Sequence, residues 1–324
     1  MTVVLGVDSG GSGLRAALGV ADGARRPAPR SSREPVRTGP RGIDAAHLVA
    51  QLEPMARELL AEAGDGARLT AVAVGAAGMA SLGDELRDRL PAALAELFGV
   101  RRVALAADAV TAYAGALGQR PGAVVAAGTG LIATGTDLTA WRRADGWGHL
   151  LGDCGGGAWI GRAGLEAALR SFDGRRGGSA ALRARAEARF GAPLSGLPGL
   201  LYPRPDRPAV LASFAPEVGR CAAEGDPVAL GVLHAAAGHI ADAAAAACPA
   251  SGDCELALTG GLLKLGDVLL VPLEAELTER LPHARRVPAA GDPLDGAVRI
   301  ATDLAQDTLK LPHDPQLLRV TTLT

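Results

Sequence analysis

Two glycine-rich turns in the chain have the composition to hold phosphate. The first, Asp8-Ser9-Gly10-Gly11-Ser12-Gly13, follows an apolar, β-branched run at residues 2–7 and precedes a second apolar run at 14–20. That order reads strand, tight turn, strand: a hairpin, not the strand-to-helix step of a dinucleotide fold. Successive N–H groups in such a turn cradle phosphate oxygens, and glycine leaves room for close approach. A carboxylate at its mouth, Asp8, suits a Mg²⁺ ion held through water. The second turn, Gly128-Thr129-Gly130, also lies between strand-like runs, at 122–127 and 131–135. Either turn alone is an ordinary hairpin connection. Together, each opening one half of the chain and each carrying a hydroxyl residue, they form a clamp for nucleotide phosphates. Neither reads GxxxxGK[ST], and no GxGxxG sits at a strand-to-helix step, which argues against a P-loop ATPase and a dinucleotide-binding dehydrogenase.

Asp108 ends the strand-like run 103–107 and precedes the small residues Ala109, Val110, Thr111 and Ala112. A carboxylate at a strand's C-terminal edge points to the ligand side of an α/β layer. There it could orient a hydroxyl and accept its proton during phosphoryl transfer; the plainer alternative is a helix N-cap. The stretch from Gly146 to Gly157 concentrates glycine with Trp147, His149 and Asp153 just before a helix. Carboxylates, backbone groups and an aromatic face are the usual means of fixing a sugar. His149 reads as a positioning residue, since Asp108 already fills the role of base. Cys154 has no paired base nearby and does not read as a nucleophile. Thr259-Gly260-Gly261 follows a strand and precedes a helix, where glycines let a flat purine lie against backbone.

The elements that must position these residues alternate between strand and helix, which implies α/β layers with mixed sheets. A helix is expected from the N-cap Asp44 to about Ala63, and another over 85–98 that Pro91 breaks or restarts. Further helices are expected over 159–170, through an interrupted region at 180–250, over 266–280, and from Pro293 to about Leu304. Both halves begin with strand, glycine turn, strand, so a weak internal duplication is expected with its boundary near residues 118–121. The expected domains are 1–118, on the sugar side, and 119–305, on the nucleotide side, facing a central cleft and followed by a tail at 306–324.

The 324 residues are 48% hydrophobic and 21% charged, with a net charge of -2, so no polyanionic or nucleic-acid partner is indicated. Aromatics are only 3% of the chain, yet Trp141, Trp147 and Trp159 fall close together. The abundance of Ala, Gly and Arg reads as genomic base composition. Cys154, Cys221, Cys248 and Cys254 contain no CxxC pair, and the Cys248–Cys254 spacing without a neighbouring His is a poor zinc pattern, so free cytosolic thiols are expected. No basic, apolar leader opens the sequence, and apolar tracts such as 239–248 are short of the roughly 20 residues that span a bilayer. A cytoplasmic protein without a membrane partner is expected.

These motifs, in this order, resemble the N-acetylglucosamine kinase branch of the BadF/BadG/BcrA/BcrD ATPase family, in the sugar kinase, heat-shock protein 70 and actin superfamily. The resemblance covers about residues 1–305 and implies a two-domain actin-like (ribonuclease H-like) ATPase fold using ATP and Mg²⁺. It implies Asp8 assisting Mg²⁺, and Gly10, Gly11, Ser12, Gly128, Thr129 and Gly130 at the phosphates. Gly260 and Gly261 would lie at the adenosine, and Asp108 would take the proton from a sugar hydroxyl, O6 first. Gly78, Trp147, Gly148, His149 and Asp153 would serve the sugar, and a homodimer is implied by the resemblance alone. The sequence departs from the family pattern at Leu131-Ile132, where relatives continue with Ser, and at Cys154, where the signature loop usually has Glu. N-acetylglucosamine is the first substrate expected; glucosamine, N-acetylmuramate or another hexose stay open. Two other classes stay open beside the kinase: an activator ATPase, which would need clustered cysteines, and a non-catalytic regulator, which usually carries an N-terminal DNA-binding module.

Overall fold

A computed structural model describes residues 2–10, 13–20, 27–39, 41–250 and 252–323. The chain opens with strands β1 (Thr2–Gly10), β2 (Gly13–Val20) and β3 (Arg30–Ser32), then the short pair β4 (Thr38–Gly39) and β5 (Gly42–Ile43). Helix α1 (Ala45–Ala63), strand β6 (Arg68–Ala76), helices α2 (Met79–Leu82) and α3 (Asp84–Phe98), strand β7 (Arg102–Ala107) and helix α4 (Asp108–Leu117) follow. Next come β8 (Gly122–Ala127), β9 (Leu131–Thr136), β10 (Trp141–Asp145) and the helices α5 (Gly157–Phe172), α6 (Ala180–Phe190), α7 (Leu197–Leu201), α8 (Arg207–Ala212), α9 (Ala215–Ala223) and α10 (Pro227–Ala247). Strand β11 (Cys254–Thr259), helix α11 (Asp267–Arg280), strand β12 (Ala284–Arg286), helix α12 (Pro293–Ala305) and strand β13 (Leu318–Thr322) complete the chain.

Two compact units result: Met1–Val124, Thr134–Trp141 and Arg286–Thr324 form the first, and Val125–Ala133 with Arg142–Arg285 the second. The first carries a six-stranded sheet in the order β13-β7-β6-β1-β2-β3. Strands β1, β6 and β7 are parallel, and β2 runs antiparallel to β1. Val3 to Val7 are all buried, as expected of a central strand covered on both faces. Helix α12 packs on β1, β2, β6 and α4. Its seat on α4 depends on Gly296, where a Cβ would lie 1.9 Å from the carbonyl oxygen of Thr111. This is close helix packing that only glycine admits.

The expected boundary at 118/119 falls in the loop between α4 and β8, and the chain returns to the first unit after β12. Residues 306–324, expected as a tail, contain β13, which pairs antiparallel with β7 from Leu318↔Ala106 to Thr322↔Arg102. Trp141 fastens the segment leading to it: its Nε1 donates to the Pro312 carbonyl at 2.7 Å, and its ring meets Tyr113 edge-on at 5.3 Å. Helix α1 starts at the expected cap, with the Asp44 side chain accepting from the His47 N–H. Helix α3 continues through Pro91 instead of breaking there; the ring is buried in the core, a gain that offsets the helical hydrogen bond its missing N–H forgoes.

The second sheet has the order β10-β9-β8-β11-β12. Among the helices of the second unit, α10 packs against α11, α9 and α5. It is 21 residues long with a mean hydropathy of 1.3, long and apolar enough to cross a membrane, a property that the apolar runs alone did not reveal. Leu233, Ala237, Ile240 and Ala244 on one face of it are buried in the unit.

Candidate active site

Each unit gathers its own set of candidate residues. In the first, the parallel register fixes the arrangement: Asp8 pairs with Gly75, and Gly75 with Ala106. Asp8, the segment 75–78 and Asp108 therefore lie along one C-terminal sheet edge, with β1 and β7 two strand spacings, roughly 10 Å, apart. Ligands of parallel α/β sheets bind on that side. Asp108 is exposed, and its Oδ1 accepts the N–H of Ala109 at 2.9 Å. The Thr111 hydroxyl donates to the Asp108 carbonyl at 3.0 Å, and a Cβ on Gly75 would lie 2.6 Å from the Thr111 side chain. The base candidate is thus mounted on a helix start packed directly against the central strands. Gly78 caps α2 in the left-handed region at φ 78°.

Asp8 itself is held by Arg15, its partner across the hairpin. Arg15 Nε and Nη2 donate to Asp8 Oδ2 at 3.0 and 2.6 Å, while Nη1 donates to Asp292 Oδ2 at 2.6 Å. Asp292 is the N-cap of α12, in a capping box with Asp295. Burial opposes ionisation of Asp292, but the Asp295 N–H and Arg15 outweigh it and hold the carboxyl below its usual range. Both Arg15 nitrogens that reach Asp8 take the same oxygen, Oδ2, and a carboxylate at the mouth of such a turn suits the water shell of a hard cation. Gly10 pairs with Gly13 at the mouth of the hairpin. Gly11 and Ser12, expected at the phosphates, lie outside the described residues.

In the second unit the Gly128-Thr129-Gly130 turn is seated on the start of α5. Gly157 N–H donates to the Gly128 carbonyl and Ala158 N–H to that of Thr129, both at 2.8 Å, leaving the Thr129 side chain exposed. Gly260, at φ 107°, packs so closely on the end of β8 that a Cβ would sit 2.1 Å from the Ala127 oxygen. Gly261, exposed, begins the 3₁₀ turn Gly261–Leu265. The candidate phosphate turn Gly128-Thr129-Gly130 and the adenosine candidate are therefore direct neighbours.

The loop at 146–156 is organised by a residue the sequence reading did not single out, Asp145. Its Oδ1 accepts the Asp153 N–H at 2.6 Å, and its Oδ2 the Cys154 N–H at 2.9 Å. Asp145 and Asp153 both adopt left-handed backbone, at φ 60° and 54°, a conformation that Asp tolerates. Asp153 in turn ties the loop to the Gly128-Thr129-Gly130 turn. Its Oδ1 accepts the Gly148 N–H at 3.1 Å, and a Cβ on Gly130 would lie 2.4 Å from its Oδ2. Burial raises the Asp153 carboxyl above its ordinary range, against the stabilising Gly148 N–H, and the Asp145 charge adds to the rise. Burial, with Asp145 next, also raises the Cys154 thiol, which keeps it protonated and unsuited to nucleophilic attack.

The aromatic and the histidine of this loop are placed differently. Trp147 is 65% exposed, with the Arg143 guanidinium stacked 4.5 Å from its ring centre. His149 and Leu150 line a cavity of about 390 Å³ with Arg162, Leu165, Leu169 and Leu211. The three tryptophans do not form one site: Trp141 packs in the first unit, and Trp159 meets His239 edge-on at 5.0 Å in the second.

The model of the BadF/BadG/BcrA/BcrD ATPase family matches residues 5–296. A 69-residue stretch is 45% identical to the N-acetylmuramic acid/N-acetylglucosamine kinase of Clostridium acetobutylicum, covering 21% of this chain and 22% of that one. A solved structure from Chromobacterium violaceum, proposed to be an N-acetylglucosamine kinase, is 28% identical with a TM-score of 0.67, covering 91% of this chain and 97% of that one. A glucokinase of the ROK family from Streptomyces griseus, solved with glucose and AMPPNP, shares the fold at 21% identity and a TM-score of 0.53, over 94% and 99% of the two chains. The fold is the two-domain α/β arrangement of actin-like ATPases, and the chain is a member of the BadF/BadG/BcrA/BcrD ATPase family.

Proposed function

We propose that the chain is an ATP-dependent carbohydrate kinase that moves the γ-phosphoryl group of Mg-ATP to an amino sugar, first N-acetylglucosamine at O6. The observation that carries this reading is the sheet edge that presents both Asp8 and an exposed Asp108. Activating a sugar hydroxyl needs one carboxylate, and managing the phosphate charge needs another. The names of the Clostridium and Chromobacterium relatives support the sugar.

In this reading Asp108 orients the acceptor hydroxyl and takes its proton as the oxygen attacks the γ-phosphorus, and ADP leaves. Asp8, steadied by Arg15, holds the water shell of Mg²⁺, which would neutralise charge on the phosphates. Gly10, Gly11, Ser12 and the turn Gly128-Thr129-Gly130 serve the phosphates, and Gly260 and Gly261 the adenosine. Gly78, Trp147, Gly148, His149 and Asp153 serve the sugar. The loop departs from the family pattern at Cys154, and glucosamine, N-acetylmuramate or another hexose is the ranked alternative. A cytoplasmic homodimer belongs to the same reading.

The test is ADP release with Mg-ATP against N-acetylglucosamine, glucosamine, N-acetylmannosamine, N-acetylmuramate, glucose and a blank. Turnover well above the blank with one sugar supports the kinase and names its substrate. Equal turnover in every well overturns it in favour of an ATPase that acts without a sugar.

A further inference from the structure

At the edge of the second sheet remote from the phosphate turn, three ligand-type side chains from distant parts of the sequence come together. Cys248 ends α10, Cys254 begins β11, and His283 lies between α11 and β12. The two sulfurs are 3.4 Å apart, and with one His283 ring nitrogen all three atoms lie within 4.8 Å of one another. Both cysteines are buried and the histidine is exposed, so the cluster opens to solvent on one side. The Cys248–Cys254 spacing alone is a weak metal pattern. The third member is 29 positions beyond Cys254, supplied by the return of the chain after α11.

We propose that Cys248, Cys254 and His283 form a binding site for a single zinc-class divalent ion, separate from the kinase machinery. The geometry is close to what such an ion requires. Two thiolates at the usual ~2.3 Å from a tetrahedral zinc stand about 3.8 Å apart, so the observed separation needs only a few tenths of an ångström of adjustment. Sulfur and imidazole together select zinc and its neighbours over the hard magnesium used with ATP. Three protein ligands leave a fourth position, which the exposed side gives to water. His283 Nε2 lies 3.0 Å from the Pro249 carbonyl, a backbone contact that orients the ring.

Binding replaces two S–H bonds with two metal–sulfur bonds, and both protons leave to solvent. The dication and two thiolates then sum to zero, so a partly buried site gains no net charge. Without metal, burial first and the neighbouring Cys254 second push the Cys248 thiol up to about 12, so Cys248 rests as a neutral thiol with no nucleophilic role. The ion would staple the end of α10 to β11 and to the loop before β12. Cys254 and Thr259 are five residues apart along β11, roughly 17 Å, so this staple lies at the far end of the strand from Gly260.

The test uses the full chain, treated with reductant and chelator, desalted, and titrated with Co²⁺ and then Zn²⁺. The expected result is thiolate-to-cobalt charge-transfer absorption that saturates at one equivalent per chain and is bleached by Zn²⁺. His283→Ala, an exposed change that leaves the core intact, is expected to weaken cobalt affinity by at least the ~10–100-fold that outer-shell changes already cost. Cys248→Ser is expected to abolish the band while ADP release stays at its parental rate. No charge-transfer band, a band unchanged in Cys248→Ser, or a mass two hydrogens light without reductant, marking a Cys248–Cys254 disulfide, would each overturn the proposal. None of these outcomes depends on which sugar, if any, the chain phosphorylates.

Discussion

Arg15 grips the carboxylate of Asp8 with two N–H groups, 3.0 and 2.6 Å from the same oxygen, while its third nitrogen holds the cap of α12. The expected magnesium ligand is therefore not a loose side chain at a turn but one end of a three-residue chain, Asp8–Arg15–Asp292. Fixing the orientation of a carboxylate before metal arrives removes an ordering cost from the bound state. Arg15 is about two-fifths exposed, so its contribution to overall stability is that of an ordinary surface pair, at most about 1 kcal/mol.

Arg15→Met keeps the apolar stem and removes the grip. A hydrogen bond to a charged group contributes about 1.5–3 kcal/mol locally, which corresponds to roughly 10–100-fold. The expectation is a rise of that order in the Mg²⁺ concentration needed for half-maximal ADP release, with little change in the melting temperature. A shift in melting temperature with unchanged magnesium dependence would make Arg15 a stability residue only.

Asp145 tests the loop. Asp145→Asn has nearly the same shape, but one carboxylate oxygen becomes an NH₂ group. Oδ1 can still accept from Asp153, whereas the amide nitrogen faces the N–H of Cys154 or the reverse, and one partly buried donor loses its acceptor. Such a loss costs about 1–3 kcal/mol. Because it falls on the loop assigned to the sugar, KM for the sugar is expected to rise by about 10-fold or more while KM for ATP moves little. Equal movement of both constants would show that the loop does not serve the sugar selectively.

What the sequence disclosed and what it hid follow from range. The hairpin of β1 and β2, the Asp44 cap and the helix opened by Pro293 are local patterns, readable from a few neighbouring residues. Even the Asp8–Arg15 pair was within reach: a hairpin closing at Gly10 and Gly13 sets Asp8 opposite Arg15. Asp145 was missed because its role depends on left-handed backbone at two non-glycine positions, 145 and 153, and nothing in residue type announces that. The segment 306–324 reads as a tail because its single strand has no sequence neighbour to pair with; its partner β7 lies about 200 positions away. Gly296 and Gly260 look like ordinary breakers until the backbones they admit are in place.

Asp108→Asn is the direct test of the base. The amide keeps the shape and still accepts the Ala109 N–H at the helix start, so the fold is expected to hold. An amide cannot take the hydroxyl proton, and general-base assistance contributes typically ~10²–10⁴-fold. Turnover is expected to fall by that factor while sugar and nucleotide affinities, measured by calorimetry, stay within about threefold. Turnover unchanged would remove Asp108 from the mechanism.

Asp153 makes a prediction that does not depend on activity. Its folded-state carboxyl is raised, by burial first, and the N–H groups of Gly148 and Leu131 do not fully offset that burial. A group whose folded pKa exceeds its unfolded value favours the native state most below the unfolded pKa, and that advantage is lost as pH rises through the folded value. At neutral pH the wild-type chain thus carries the cost of a half-buried charge beside Asp145. Asp153→Asn removes the charge and retains an oxygen for the Gly148 N–H. The variant is expected to melt at or above the wild-type temperature at pH 7, with the gap closing as pH falls through the acidic carboxylate range. Melting curves of the two proteins at matched ionic strength decide it. A variant that is less stable at pH 7 and gains ground only on acidification would mean that the carboxylate's hydrogen bonds outweigh its burial. Asp153 would then be a structural latch between the loop and the Gly128-Thr129-Gly130 turn rather than a strained group held in place for the sugar.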